Sequence, residues 1–558
     1  MSESTSTMEL PTRASERGSC GVLAQKTAAL LACLLLPAWA WAAPADGTGD
    51  ATANAVESAT PAPGKPEPAV LRSILVGSKR GKVKVFAHII DLDTGAEVLA
   101  LDADVAAYPA SVAKLFSTAA AVQTLQPDEK LKTRVLVGGR NGERAATLAL
   151  VGGGDPSLSA RDLANLADAV AKAGIRRVDT LIIDHTLFDD ALPLGFGEKQ
   201  TDANYRAPID ALMVEGGAVA FAVHPGAKPG DPVTVEVSPS SPAVQVVNQA
   251  ATVAGRKMAL SMFTRPAGKF TEIVVQGTVG AQRGVVGAGR KRVADAGFFA
   301  GELFRRQLDD RAISVGATSY KAAGEGLHEL AVHESEAADA LIRHCNKTSH
   351  NQYAETLFKL VGARRQGAPA TAAKANAGVR AALAGIGVDF DKLTLGNGSG
   401  LYHADRFPPR QVTNLLRGMD RGPNGARFRD TLAIAGVDGT LRGRLRGTAT
   451  RGKVFAKTGT LDDVTGLAGY ALGASGRYAF AMFFNDVAGS ANAWRRVHDR
   501  VLEALMEPDS ARKPAPSAAV AGPGAARPAA KATAGSRRPA KRPAATHSAA
   551  KSGRTRRR

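Results

Sequence analysis

Ser111-Val-Ala-Lys114, Ser349-His-Asn351 and Lys457-Thr-Gly459 follow one another along the chain, each carrying a hydroxyl beside an amine or an amide. A serine hydroxyl is a poor nucleophile until a neighbouring base removes its proton. On a helix, positions i and i+3 share a face, so Lys114 stands one turn above Ser111 within reach of its oxygen. These residue types support nucleophilic acyl transfer. A serine attacks a carbonyl, an amine takes its proton, and the remaining groups hold the substrate.

The chain supplies its own controls. Ser510-Ala-Arg-Lys513 and Ser548-Ala-Ala-Lys551 repeat the first spacing, Ser490-Ala-Asn492 the second, and Lys551-Ser-Gly553 a looser form of the third. Context separates them. Ser111 follows Tyr108-Pro-Ala110 and opens an apolar run from Leu115 to Leu125, which predicts a buried helix with the serine in its first turn. The matches at 510, 548 and 551 lie in a Pro/Ala/Lys-rich tail, and Ser490 reads as the N-cap of a final helix.

The elements that must position these groups are legible around them. Lys82–Asp91 and Glu97–Leu101 flank an Asp93-Thr-Gly95 turn and predict a hairpin. From about 138 to 325 the pattern is short Val/Ile/Leu strands with Gly and Pro punctuation. Helical character returns at Ser335 and holds through Arg364. After the Leu395–Leu401 loop come more helix, a β meander over 452–485 and a last helix ending near Met506. Ser111 and the other two motifs are thus divided by a long strand-like stretch, yet one site requires that they meet. The stretch is therefore expected to be an insertion in a single catalytic domain.

The ends of the chain read differently. Lys26, the apolar run Thr27–Pro37 and Ala40-Trp-Ala42 make a cleavable export signal over 1–42, too short for a membrane anchor. An Ala/Pro/Gly linker occupies 43–69. Cys20 and Cys33 would leave with the signal, so Cys345 stands alone and is expected to be a buried small hydrophobe. Of the net charge of +19, thirteen positive charges lie in 511–558, where no acid occurs. The 508–558 segment is expected to be a disordered basic tail that attracts anionic envelope polymers by charge. It has no aromatic for base stacking, which argues against specific nucleic-acid reading.

With these motifs in order, the chain resembles the D-alanyl-D-alanine carboxypeptidase/endopeptidase family of low-molecular-mass class C penicillin-binding proteins, the S13 peptidases. The resemblance rests on Pro109–Ala121, Leu150–Pro156, Asn346–Asn351, Gly396–Leu401, Ala435–Leu441 and Ala456–Thr460, and on the long insert after the first motif. It implies an α/β (α+β) fold. A transpeptidase/β-lactamase-like catalytic domain in two parts, 70–137 and 326–507, would carry a strand-rich insertion of two nested domains over 138–325. It also implies an extracytoplasmic, periplasmic enzyme that hydrolyses D-Ala-D-Ala stem peptides and cross-links of peptidoglycan, with β-lactams as covalent inhibitors.

On this resemblance Ser111 is the nucleophile and Lys114 the base, Ser349 relays a proton, and Asn351 holds the peptide amide. Lys457, Thr458, Gly459 and Thr460 would receive the substrate, its carboxylate falling to Lys457 and Thr458. Burial plus the second cation Lys457 is expected to bring Lys114 down by roughly 3 pH units. Asp202 would meet the substrate's amino group. Two departures from the family pattern stand out: Asn397 replaces an aspartate, and Tyr402-His403 replaces Ser-Arg, so that His403 would meet the acidic side chain of the cross-linking residue less well at neutral pH than the usual arginine. His350, in the middle of the second motif, is expected to point away from the site.

No metal or cofactor is expected, since the chain has no HExxH, no paired CxxC and no cluster of histidines. The rival readings are a β-lactamase, which the long insert fits poorly, and a non-catalytic wall-binding protein, which would not need Ser111, Lys114, Asn351 and Lys457 together.

Overall fold

The computed structural model describes residues 66–77 and 81–507 of the 558. The export signal, most of the linker and the basic tail lie outside the described residues.

The strand Lys84–Asp91 is buried along almost its whole length, and the reason is its place in the middle of a sheet. Six strands pair antiparallel in the order Ala433–Ile434, Val454–Thr460, Thr465–Gly473, Gly476–Asn485, Lys84–Asp91, Glu97–Leu101. Alternate side chains serve opposite faces. Val85, Ala87 and Ile89 join Phe480, Met482, Trp494 and Leu502 in one apolar cluster. Phe86 and Ile90 join Ala481, Phe483, Leu415 and Phe116 in the other. The helices Pro68–Val76 and Ala491–Met506 cover the first face, while Pro409–Arg421 and the Ser111 segment cover the second. The hairpin, the meander and the last helix expected from the pattern are all present.

Ser111 and the helix after it lie under the second face. The helix Lys114–Val122 is buried at every one of its nine residues. Its polar side chains are therefore tied internally: Thr118 Oγ1 donates to the Lys114 carbonyl at 2.6 Å and Ser117 Oγ to the Gly398 carbonyl at 2.7 Å. Burying Leu115 and Phe116 completely contributes roughly 1.5–3 kcal/mol each.

The second motif differs from its expectation. The helical pattern over 335–364 contains a break, with one helix over Ala338–Thr348 and the next over Asn351–Gln366. Ser349 sits in the break at φ 62°, the left-handed region that a non-glycine residue rarely adopts.

Between the two parts of this layer lies the strand-rich segment. A five-stranded sheet has the order Ser314–Tyr320, Arg177–Asp184, Arg144–Val151, Lys130–Asn141, His328–Ala337, with the helices Ala160–Lys172 and Ala296–Asp309 beside it. Two three-stranded sheets, built from strands between 218 and 292, interrupt that chain. Lys130–Asn141 and His328–Ala337 pair antiparallel, which brings the two ends of the strand-rich part together. Among the described residues no helix is long and apolar enough to cross a membrane.

Candidate functional site

Ser111 lies on a 3-10 turn, Ala110–Ala113, immediately before the Lys114 helix rather than inside its first turn. That turn is pinned from three sides. Asn485, at the end of a central strand, accepts from the Tyr108 N–H at 2.8 Å and donates to the Tyr108 carbonyl at 3.0 Å. Gly459 passes so close that an added Cβ would stand 2.6 Å from the Pro109 carbonyl and 3.3 Å from the Ser111 nitrogen. Gly400, at φ 73°, passes closer still, with the Ala110 carbonyl 1.9 Å from its virtual Cβ. Both glycines are required by contact, and Gly400 by its backbone angle as well.

The three motifs meet. Lys114 Nζ donates to Ser111 Oγ at 2.9 Å, to Asn351 Oδ1 at 2.8 Å and to the Ser399 carbonyl at 2.6 Å. Lys457 Nζ donates to Ser349 Oγ and to the Thr458 carbonyl, both at 2.8 Å. Each amine is 0% exposed. Burial brings Lys114 down to about 8, against the pull of Cys345, Glu355 and Asp405. The expected repulsion between the two lysines falls on the other partner: Lys457 is lowered well below its usual value by burial first and the Lys114 charge second.

An open cleft has two lobes that share Ser111 and Thr460. One, of about 230 Å³, is lined by Asn351, Tyr205, Lys199, His403 and Asp463 among others. The other, of about 350 Å³, is lined by Ser349, Thr440, Thr458 and Arg495 among others. Thr460 Oγ1 donates to the Gly459 carbonyl, and Thr458 Oγ1 to Thr440 Oγ1 at 3.0 Å. The strand-rich segment contributes directly to the first lobe: the Tyr205 carbonyl accepts from Asn351 Nδ2 at 3.2 Å, and Lys199 pairs with Asp462 across the mouth.

His403 reaches this lobe, its ring edge-on to Tyr108 and its nitrogens 3.4–3.5 Å from Asp463 and Glu198. Asp202 does not. Its carboxylate is held inside the strand-rich segment by Lys291 Nζ at 2.9 Å and the Thr264 N–H at 3.0 Å, and it lines neither lobe. An acid already paired with a lysine has no reason to face a ligand's amine. His350 packs against Tyr353 and His344 and lines a separate cavity; burial lowers it to about 4, so it is neutral. Cys345 is fully buried, its thiol pushed up to about 11, which leaves it unreactive.

Several functional groups carry no motif. Glu355 accepts from the Gly398 and Ser399 N–H groups at 3.0 and 2.8 Å, and Asp405 from those of Gly396 and Asn397 at 2.7 and 3.2 Å. These buried carboxyls hold the loop whose Ser399 carbonyl faces Lys114. Burial raises both, Asp405 to about 7. Glu355 lies four residues after Asn351, one helical turn along the same face, a spacing visible in the sequence.

Asn397 is part of this loop and not a substrate contact. Its Oδ1 accepts from Gly400 N–H at 2.7 Å and its Nδ2 donates to the Leu194 carbonyl at 2.8 Å. Asn397→Asp would turn that donor into an oxygen facing a carbonyl and place a third carboxyl beside two buried ones. The expected loss is about 1–3 kcal/mol. A buried aspartate favours its protonated form, so the folded state holds the extra proton and stability falls as pH rises above the ordinary carboxylate range. Thermal melts of the variant and parent should differ by more at pH 8 than at pH 5.

Among the described residues, His185, Asp190 and Asp210 have ligand atoms within 4.8 Å of one another, as a cation site would need. They lie in the strand-rich segment, where His185 and Asp210 already pair at 2.8 Å.

A serine bonded to a buried, depressed lysine, beside a second serine–lysine pair, defines a serine acyl-transfer hydrolase on a mixed α+β fold. A family model for the D-Ala-D-Ala carboxypeptidase 3 (S13) family matches residues 75–504, and the chain belongs to that family. It is 34% identical over 438 residues to a D-alanyl-D-alanine carboxypeptidase of Actinomadura sp. (strain R39), covering 75% of this chain and 80% of the relative. To the D-alanyl-D-alanine carboxypeptidase DacB of Haemophilus influenzae it is 27% identical over 384 residues, covering 67% and 80%. The crystal structure of penicillin binding protein 4 (dacB) from Haemophilus influenzae shares the fold, with TM-score 0.69 at 23% identity over 79% of this chain and 99% of that one.

Proposed function

We infer that the chain is a penicillin-sensitive serine D-Ala-D-Ala carboxypeptidase and DD-endopeptidase acting on peptidoglycan through an acyl-enzyme. The observation that carries this reading is the 2.9 Å bond between Lys114 Nζ and Ser111 Oγ, made by an amine buried enough to stand at about 8. At pH 7.5 about a quarter of such an amine is neutral and able to take a proton. Ser111 then attacks the carbonyl of the penultimate D-alanine. The oxyanion forms against the backbone N–H groups of Ser111 and Thr460. Ser349, bonded to Lys457, passes a proton to the departing amine, and Asn351 holds the peptide amide. Terminal D-alanine leaves, and water hydrolyses the ester. A β-lactam offers the same serine a strained amide and leaves it acylated.

Beyond the chemistry, we propose export by the 1–42 signal to the periplasm, a catalytic domain carrying two nested inserted domains, and attraction of the basic tail to anionic envelope polymers. We also propose that His403, flanked by Glu198 and Asp463, meets the side chain of the cross-linking residue, less well than an arginine would at neutral pH.

The test is a fluorescent penicillin added to protein lacking residues 1–42, beside Ser111→Ala. The parent is expected to form a covalent band and to release D-alanine from a D-Ala-D-Ala peptide, and the variant to do neither. A folded parent that is neither labelled nor active would sink the enzyme reading in favour of wall binding, and rapid penicillin turnover would favour a β-lactamase.

A further inference from the structure

The motif residues account for the donors in the second lobe but not for a charge there. Lys457, the expected carboxylate partner, spends its Nζ on Ser349 and on the Thr458 carbonyl and does not line the lobe. Two guanidinium groups do. Arg444 is neutralised by Asp499, with Nη2 2.7 Å and Nε 3.1 Å from Oδ1. Arg495, near the start of the helix Ala491–Met506, has no carboxylate partner among the described residues. Its Nη1 donates to Asn492 Oδ1 at 2.9 Å and its Nη2 to Thr460 Oγ1 at 3.1 Å. Those neutral acceptors fix the plane of the guanidinium without cancelling its charge.

A planar fork of donors fits a carboxylate with two parallel bonds, which a lysine amine cannot match. Here the fork stands in the same lobe as the nucleophile and the Thr458 and Thr460 hydroxyls. We propose that Arg495, outside all three motifs, anchors the substrate's terminal carboxylate and so selects peptides in which a free carboxylate follows the scissile amide. This rests on the acyl-enzyme reading above. It leaves Lys457 with a different task, polarising Ser349 for proton transfer.

The experiment compares parent, Arg495→Gln and Arg495→Lys on two substrates with the same acyl group. One is an acyl-D-Ala-D-Ala peptide. The other is an acyl-D-Ala benzyl thioester, an activated substrate with no carboxylate. The readout is the ratio of kcat/KM on peptide to that on thioester. Losing a charged bond to substrate is expected to lower this ratio about 30-fold in Arg495→Gln, chiefly through KM, with part of it recovered in Arg495→Lys. A ratio within threefold of the parent's would overturn the proposal, as would equal losses on both substrates, the mark of a structural role. Failure of the underlying reading shows separately, as a parent inactive on both substrates and unlabelled by penicillin.

Discussion

Lys114→Met should lose penicillin acylation by at least about 1,000-fold while keeping its fold, the reverse of what deleting a fully buried, triply bonded side chain usually does. The chemical loss follows from removing the group bonded to Ser111 Oγ. The stability follows from linkage. Lys114 is held at about 8, while an unfolded lysine titrates near 10.4. Between those values the unfolded chain binds more protons, so stability rises with pH across that window, and below pH 8 the full cost of a buried cation is present. That cost is about 3 kcal/mol, and methionine removes it. Against this, the Asn351 and Ser399 oxygens lose their donor, at about 1 kcal/mol or more each. The two effects are of similar size, so the melting temperature at pH 7 should stay within a few degrees of the parent's. Melts at pH 7 and pH 10 provide the check. The parent should gain on the variant as pH rises, and parallel curves would show that Lys114 is not depressed.

Gly459→Ala is expected to cost at least about 100-fold in kcat/KM for the addition of one methyl group. The new Cβ would stand 2.6 Å from the Pro109 carbonyl and 3.1 Å from the Ala110 Cβ, both on the turn that presents Ser111. Neither can give way alone, since Tyr108 is clamped by Asn485 and Ala110 lies against Gly400. The strand must therefore move away from the serine, carrying the Thr460 N–H out of line with that of Ser111. Overpacking of this kind also destabilises by about 1–3 kcal/mol. Gly443→Ala is the control, since nothing lies within 4 Å of its virtual Cβ. Equal kinetics for the two variants would show that the strand has slack at the nucleophile.

What the sequence disclosed was whatever is written in local pattern. The nearly continuous apolar run of Lys84–Asp91, the meander and the apolar run after Ser111 reflect which faces are covered, and burial leaves its mark in the chain. The break at Ser349 was hidden because the helices on either side share one continuous helical pattern, and a left-handed serine has no signature of its own. The roles of Asn397, Glu355 and Asp405 were hidden for another reason. They bond backbone groups of a loop, and backbone partners leave no trace in residue identity. Asp202 misled because an acid in a loop looks available until its lysine, eighty-nine residues on, is seen beside it.

The bond from Asn351 to the Tyr205 carbonyl has a meaning for how the chain can change. A carboxamide has two ends of nearly equal shape and opposite polarity. Turned by half a revolution, Asn351 would set its NH₂ against the Lys114 amine and its oxygen against the Tyr205 carbonyl, exchanging two attractions for two repulsions. The strand-rich segment thus tells the amide which way round to stand. Gln352 doubles the hold, donating to the neighbouring Asn204 carbonyl at 2.5 Å. Because both acceptors are backbone oxygens, what this hold fixes is the position of residues 204 and 205. Drift in the outlying sheets is harmless only while that short turn stays seated.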